Sequence, residues 1–393
     1  MKARSSVRAE RVGLNGATVA LEISGGRIAR IEPMPGPAAW QALPLPVDPH
    51  LHLDKTFLWP RARPAAPGLF PAIEATLADR ARWTPEDIRA RAGRALAEAA
   101  GAGMRALRSH VDWVEPAVPL AWDVLGEMAA DAPVTLQRAP LLPIDLLGDP
   151  ELGPPIAAHV AATGDGVLGA FLYRHAGYPE LLARVFRLAA DHGLRLDFHV
   201  DEGLEPEAQG LDEITRLTAQ HGMAGRVLCG HACSLSVRPT DQVAQVLDAM
   251  AQAGVALCVL PATNLWLQDG AAGRTPRLRG LAPLHEARAA GVSVMFGADN
   301  VADPFYPFGS YDPLEVLRLA STAAHLDPAD WLGAITTAPA RALGLEPPVI
   351  ETGAPADLLL VAGADWQDAL RGPARRRVLR AGAETTAQER VPA

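Results

Sequence analysis

The sequence predicts an α/β fold: a (β/α)8 barrel, with a small β-sandwich outside it built from the two ends of the chain. Three observations carry this. Eight short β-type runs alternate with amphipathic helical stretches through the middle of the chain. Eight strand–helix units over about 250 residues are the signature of a closed barrel. The N-terminal end instead alternates apolar and polar residues around Gly-containing turns, and the C-terminal end returns to strands. No Gly-rich phosphate turn follows an early strand, as a doubly wound open sheet would usually show.

In chain order, Ser5–Pro35 is the first sheet-forming stretch, with turns at Asn15-Gly16 and Gly25-Gly26. Gly36–Pro44 reads as a linker. The barrel strands fall at Leu45–Leu53, Met104–Val111, Val134–Leu141, Gly166–Tyr173, Leu194–Asp201, Arg226–Cys233, Val255–Ala262 and Val292–Asn300. Helical patterns between them include Thr84–Ala100, Tyr178–His192, Leu211–His221, Thr240–Ala253 and Pro283–Ala290. Thr84 caps the first of these, with Pro85 at the first helical position. Gly193 and Gly254 stand where helices should stop. Leu345–Pro355 reads as a second linker, and Ala356–Thr386 returns to strands. The expected domains are therefore 48–345 for the barrel, with 1–47 and 346–393 forming the sandwich.

Composition narrows the function. The 393 residues are 49% hydrophobic, enough for a large packed core and against disorder as the main state. A net charge of −9 argues against a nucleic-acid partner. Asp, Glu, Arg, Gly or Pro interrupts every apolar run before it could span a membrane. Met1–Gly16 carries Lys2, Arg4, Arg8, Glu10 and Arg11 without an apolar stretch, so it does not read as a secretory signal. Cys229, Cys233 and Cys258 are odd in number and wrongly spaced for a disulfide framework or a zinc knuckle, which points to the cytoplasm. Of the 36 basic residues only Lys2 and Lys55 are lysines. A coding bias toward arginine accounts for that, and it makes Lys55, beside a pair of histidines, worth notice.

The chemistry gathers at strand ends. His50 and His52 are two apart in an extended strand, so both imidazoles face one side and can serve one ion. His199, ending the fifth strand, is a third nitrogen ligand, and Glu202 follows it into the loop. His231 ends the sixth strand and Asp299 the eighth. Singly, His231 could be a core histidine and Asp299 a turn cap. Jointly, His50, His52, His199 and Asp299 make one metal shell at the face where barrel active sites lie, with Glu202 and His231 left to handle protons.

This pattern resembles the amidohydrolase superfamily, and its cytosine deaminase branch over most of the chain. The stretches that carry the resemblance are Pro49-His50-Leu51-His52-Leu53-Asp54, Arg108-Ser109-His110-Val111-Asp112 and His199-Val200-Asp201-Glu202. With them go His231, Asn264-Leu265-Trp266-Leu267-Gln268 and Phe296-Gly297-Ala298-Asp299-Asn300. Asp303-Pro304-Phe305-Tyr306-Pro307-Phe308-Gly309 is the most specific of them. The resemblance implies one divalent ion, zinc or iron, held by His50, His52, His199 and Asp299. Strand four ends Phe171-Leu172-Tyr173-Arg174, without the bridging lysine or glutamate of two-metal members. It also implies deamination of a cyclic amidine or amino-heterocycle through a metal-bound hydroxide, releasing ammonia. Asp299 and His231 would orient the water, and Glu202 would act as general acid and base. A small heterocyclic substrate is implied as partner, and the family's habit of assembly implies a homo-oligomer.

The expected substrate pocket departs from the branch's pattern at three places. No glutamine follows strand three, where Ala139-Pro140-Leu141-Leu142-Pro143 stands; Gln137 lies earlier. The second aspartate of the pattern is Asn300 here, and its tryptophan is Phe305. The His-x-His-x-Asp-Lys form is also similar to that of isopropylammelide hydrolases. The alternative reading is accordingly hydrolysis of an N-substituted amino-triazine or a cyclic amide. A catalytically dead scaffold would have lost ligands, and this chain keeps the set. Lys55 is either a solvated side chain or a contact to a substrate carbonyl. His110, with Asp112, either lines the pocket or forms a buried structural pair. Trp266 is either a wall for a planar ring or a core residue.

Overall fold

A computed structural model describes residues 7–163, 165–373 and 375–385. The expected sheet stretches open at Ser5 and close at Thr386; these residues, with Lys2 and Arg4, lie outside the described range. The chain begins with four strands, β1 (Val7–Leu14), β2 (Ala17–Ser24), β3 (Arg27–Pro33) and β4 (Trp40–Pro44). Eight parallel strands follow, β5 (Val47–Leu51), β6 (Ala106–Asp112), β7 (Thr135–Pro143), β8 (Val167–Leu172), β9 (Arg195–Val200), β10 (Val227–His231), β11 (Val255–Val259) and β12 (Val294–Phe296). Each overlaps one of the eight runs expected from the sequence. The last three strands are β13 (Leu358–Ala362), β14 (Arg376–Arg380) and β15 (Ala383–Thr385).

Strands β5 to β12 pair in chain order, each with the next. The ring closes where β12 returns to β5. There the Asp299 N–H donates to the His50 carbonyl at 2.9 Å. The buried Asp48 carboxylate accepts the N–H of His50 and that of Ala298, each at 2.9 Å. Helices cover the outside, so the strands are buried on both faces and read as apolar runs.

The barrel interior is not wholly apolar. Arg108 on β6 is fully buried and donates to Asp197 on β9 at 2.6 Å, to Gln137 at 2.8 Å and to the Ala342 carbonyl at 3.0 Å. Gln137 is thereby turned to the barrel floor, and its amide donates to the Asp165 carbonyl. His110 lies above this pair, its Nε2 3.1 Å from Asp197.

The two chain ends make one seven-stranded sheet, in the order β15-β14-β13-β4-β1-β2-β3. It curls so that its β3 edge meets residues 353–356: Ile28 donates to Ala354, Gly353 to Ile28 and Ala356 to Gly26. Val12, Leu21, Ile28, Leu358, Leu360 and Leu379 fill the inside of the curl. The expected sandwich is thus a single sheet folded on itself. Gly36–Pro44 is not only a linker. Its second half is β4, which joins the N-terminal strands to β13 because the Gln41 amide also bonds the carbonyls of Gly363 and Ala364.

The helical patterns read from the sequence are present, Thr240–Ala253 with the same ends. One helix without a clear sequence pattern is Leu69–Arg80, inserted between β5 and the helix Pro85–Gly101. Phe70 and Leu77 are exposed on it, which blurs the amphipathic signal. No helix among the described residues is long and apolar enough to cross a membrane.

Arg108→Met strips Asp197 of its guanidinium partner in the barrel interior. We expect a loss of about 3–5 kcal/mol in urea unfolding, the usual cost of breaking a buried pair from one side.

Candidate active site

The shell assembles from the ends of three distant strands. His50 and His52 flank Leu51 at the end of β5, His199 lies on β9, and Asp299 stands three residues past β12. The His52 Nε2 lies 3.1 Å from Asp299 Oδ1, and the His50 Nε2 lies 3.6 Å from the same oxygen. The His199 and His52 Nε2 atoms are 3.5 Å apart. Two imidazole nitrogens at that separation make a poor hydrogen bond. They suit a shared cation better: donors about 2.1 Å from one ion in tetrahedral array stand about 3.4 Å apart. The His50 Nε2 and both Asp299 oxygens are buried without hydrogen-bond partners. Unpaired buried acceptors are costly, and a divalent ion would satisfy them together. Two overlapping clusters, His50–His52–Asp299 and His50–His199–His231, each bring their ligand atoms within 4.8 Å of one another, so the residues present fit a metal ion in this part of the barrel mouth.

Local backbone choices permit this crowding. A Cβ on Gly230 would lie 2.9 Å from the His50 ring, and one on Gly297 would lie 2.7 Å from the His50 carbonyl oxygen. Both positions need glycine for the β5 ligands to sit in the ring. Asp201 (φ 49°), His231 (φ 69°) and Asp299 (φ 59°) adopt left-handed conformations at the ends of β9, β10 and β12. Such non-glycine residues are uncommon, and they gather at functional sites.

Burial sets the protonation states. It holds the His50, His52 and His199 imidazoles well below their ordinary pKa, so they are neutral and able to donate lone pairs. His231 is pushed down to about 4 by burial, partly offset by Asp299. Its Nδ1 lies 3.0 Å from the Asn264 amide nitrogen and 3.6 Å from Glu202. Glu202 is pushed up to about 8, first by burial and then by the charge of Asp299, against Lys55. At neutral pH it is a protonated carboxyl, which can give a proton away.

These groups open into a cavity of about 340 Å³ whose lining includes His52, His199, His231, Glu202, Asp299 and Asn300. Lys55 and Phe305 line it too. The Lys55 ammonium is buried, bonds Asp112 at 2.8 Å and lies 4.7 Å from the centre of the Phe305 ring. It is not a solvated side chain. Asn300 donates to Asp303 at 2.8 Å, and Asp303 in turn accepts the backbone N–H of Phe305.

Two expected pocket residues are not among those that line the cavity. His110 lies behind the shell, its ring 4.0 Å from His50 and its Nε2 toward Asp197. Asp112, one turn of the strand alternation further, does face the cavity. Trp266 is neither wall nor core: it is 43% exposed and stands edge-on to Tyr306 and Phe308. The helix Pro261–Leu267 turns it outward and presents Asn264 inward instead.

Sequence reasoning missed Asp48, which looks like an ordinary strand residue until β5 and β12 are adjacent. It also left Arg108 and Asp197 unpaired, because 89 residues separate them. No spacing signal marks such contacts.

Residues 143–391 match the sequence profile of the amidohydrolase family. The chain is 36% identical over 339 residues to a pterin deaminase of Rhizobium rhizogenes, spanning 84% of this chain and 77% of that one. Its fold is similar to a 5-methylcytosine deaminase from Klebsiella pneumoniae (TM-score 0.85, 24% identity, 99% of both chains). It is also similar to an N-isopropylammelide isopropylaminohydrolase from Burkholderia multivorans (TM-score 0.77, 27% identity, 97% of this chain and 98% of that one).

Gly230→Ala should push the His50 ring aside and weaken metal binding about tenfold to hundredfold. Competition with a fluorescent chelator measures this. His199→Ala should lose the ion outright, and full occupancy in that variant would remove His199 from the shell.

Proposed function

The chain belongs to the amidohydrolase family, and from that premise we propose that it is a mononuclear, metal-dependent aminohydrolase. Its substrate in this reading is a cyclic amidine or amino-heterocycle, a cytosine-like pyrimidine or a fused pterin, deaminated with release of ammonia. The likeness to a pterin deaminase over most of both chains supports the fused ring as the first candidate. Zinc or iron at His50, His52, His199 and Asp299 would supply Lewis acidity that brings the pKa of a water from about 15.7 toward about 7.

The chain's own residues carry the rest. Asp299 and His231 flank the place of the attacking water, accept its proton and fix its direction. Neutral His231 can also donate to the oxygen that develops charge at the ring carbon. Glu202 gives its proton to the adjacent ring nitrogen, which makes the carbon electrophilic. The proton taken from the water passes to the leaving amine, so that ammonia rather than amide anion departs, and the hydroxyl proton left on the ring carbon returns to Glu202 as the carbonyl forms. Lys55 and Asp112 offer a donor and an acceptor side by side. That pair suits a ring edge with an oxo group next to an N–H. What supports the reading above all is Glu202, a buried carboxyl held protonated beside a histidine–aspartate shell in the same cavity. The three cysteines are free and buried, which agrees with a reducing, cytoplasmic setting.

Two variants test these roles. Glu202→Gln should keep its metal and lose about 10²–10⁴-fold in kcat. A near-normal rate would remove Glu202 from proton transfer. Lys55→Met should lower kcat/KM on oxo-substituted rings about tenfold to hundredfold, the worth of a charged hydrogen bond. Rings without an oxo group should lose less. The assay follows ammonia; release of an alkylamine instead would favour the N-substituted triazine reading.

A further inference from the structure

The cavity has two unlike ends. The inner end holds the shell, Glu202, Lys55 and Asp112. The outer end is walled by Leu69, Ile73, Leu77, Val114, Leu141 and Phe171. Three of these come from the helix Leu69–Arg80, at positions i, i+4 and i+8, so one apolar face of that helix looks into the mouth. Thr76 on the same face offers no free hydroxyl hydrogen, since it donates to the Ala72 carbonyl at 2.9 Å. The Nδ1 of His175, also at the mouth, accepts the Tyr173 N–H at 3.0 Å.

Leu77 and Val114 are 44% and 38% exposed, though both line a concave site. Large apolar side chains left facing water in a cleft are the usual mark of a ligand surface. The wall is also fixed in place. Asp79 accepts from Arg61 at 2.9 Å and from the Trp83 indole at 3.1 Å, and Arg80 donates to the Asp112 carbonyl at 2.9 Å. Leu69 and Ile73 pack with Ala72 beside Phe305, which joins the two ends of the cavity. A volume of about 340 Å³ falls in the range of roughly 300–1,000 Å³ that holds drug-sized ligands.

We infer that the substrate is a two-part molecule: an aminated oxo-ring that seats over the shell and the Lys55–Asp112 pair, carrying an apolar ring substituent that lies against the helix Leu69–Arg80. The polar inner end recognises the ring and the outer wall recognises its substituent. This rests on the aminohydrolase reading, and it adds which ring derivatives the site selects.

The experiment uses metal-loaded protein and 2-amino-4-oxopyrimidines bearing hydrogen, methyl, propyl or phenyl at ring carbon 5 or 6. In one of the two series kcat/KM should rise about fourfold for each methylene buried. In Leu77→Asp the ratio of substituted to unsubstituted kcat/KM should fall toward one. Calorimetry with the matching 2,4-dioxopyrimidines, which require no turnover, should show the same order of affinity and the same loss in Leu77→Asp. Turnover of the bare ring with flat or falling ratios in both series overturns the inference and leaves the aminohydrolase reading intact. Absence of turnover with the calorimetric order intact overturns the reaction assigned to the site and upholds the two-part pocket. A flat calorimetric series overturns the pocket whatever the turnover.

Discussion

One buried carboxylate holds the two ends of the barrel together. Asp48 accepts a backbone N–H from His50 on β5 and another from Ala298 beyond β12. These are the first and last strands of the ring, and β12 is only three residues long. With so short a ladder, the carboxylate and the Asp299-to-His50 backbone bond share the closure with Phe57 and Trp59, which donate to the Val301 and Ala302 carbonyls just beyond it. The same closure sets His50 and His52 against Asp299. The candidate ligands from the two ends of the barrel are thus brought together in part by two N–H groups bonded to one side chain. Burial pushes the Asp48 carboxyl up to about 7, and the two N–H groups work the other way.

Beneath these residues lies a second layer that does not line the cavity. Arg108, Asp197 and His110 fill the barrel where aliphatic side chains would ordinarily stack. Arg108 also reaches the Ala342 carbonyl, at the end of the helix Thr337–Ala342. His110 bears on the back of His50. Burial leaves the His110 imidazole neutral, and Asp197, pushed up to about 6 by burial, is drawn down by Arg108. The charge that remains is matched inside the layer, so the imidazoles above it keep their lone pairs for a cation. The glycines at 230 and 297 work alongside, since the layer lifts His50 into space that a Cβ would fill.

The electrostatics of the cavity separate its acids by surroundings. Glu202 and Asp299 are both buried, and burial raises both. Among the described residues Glu202 has no cationic partner in hydrogen-bond contact, and burial pushes it up to about 8. Asp112 is drawn low by Lys55 and stays ionised against it. Two carboxyls in one cavity with opposite protonation states are what acid–base work and ring recognition respectively require.

The sequence by itself determined the barrel and its eight strands, and it singled out the histidines and aspartate that the fold gathers at the barrel mouth. Each of these leaves a local trace. Strands buried on both faces read as apolar runs. His50 and His52 share a face through the two-residue alternation. His199, His231 and Asp299 each mark the end of such a run. Tertiary structure decided what local pattern does not encode. Gln137 faces the floor and not the pocket because Arg108 is there to receive it. Trp266 points outward and Asn264 inward because a seven-residue helix turns between them. Lys55 is buried because Asp112, 57 residues away, neutralises it. β4 is a strand because β13 arrives beside it from the far end of the chain. The apolar mouth exists because an inserted helix with no clean periodicity is pinned over it. The physical reason is common to all five. Backbone alternation and helical period are set by residues a few positions apart. The partner that satisfies a buried charge or amide is set by which strands the closed ring makes neighbours.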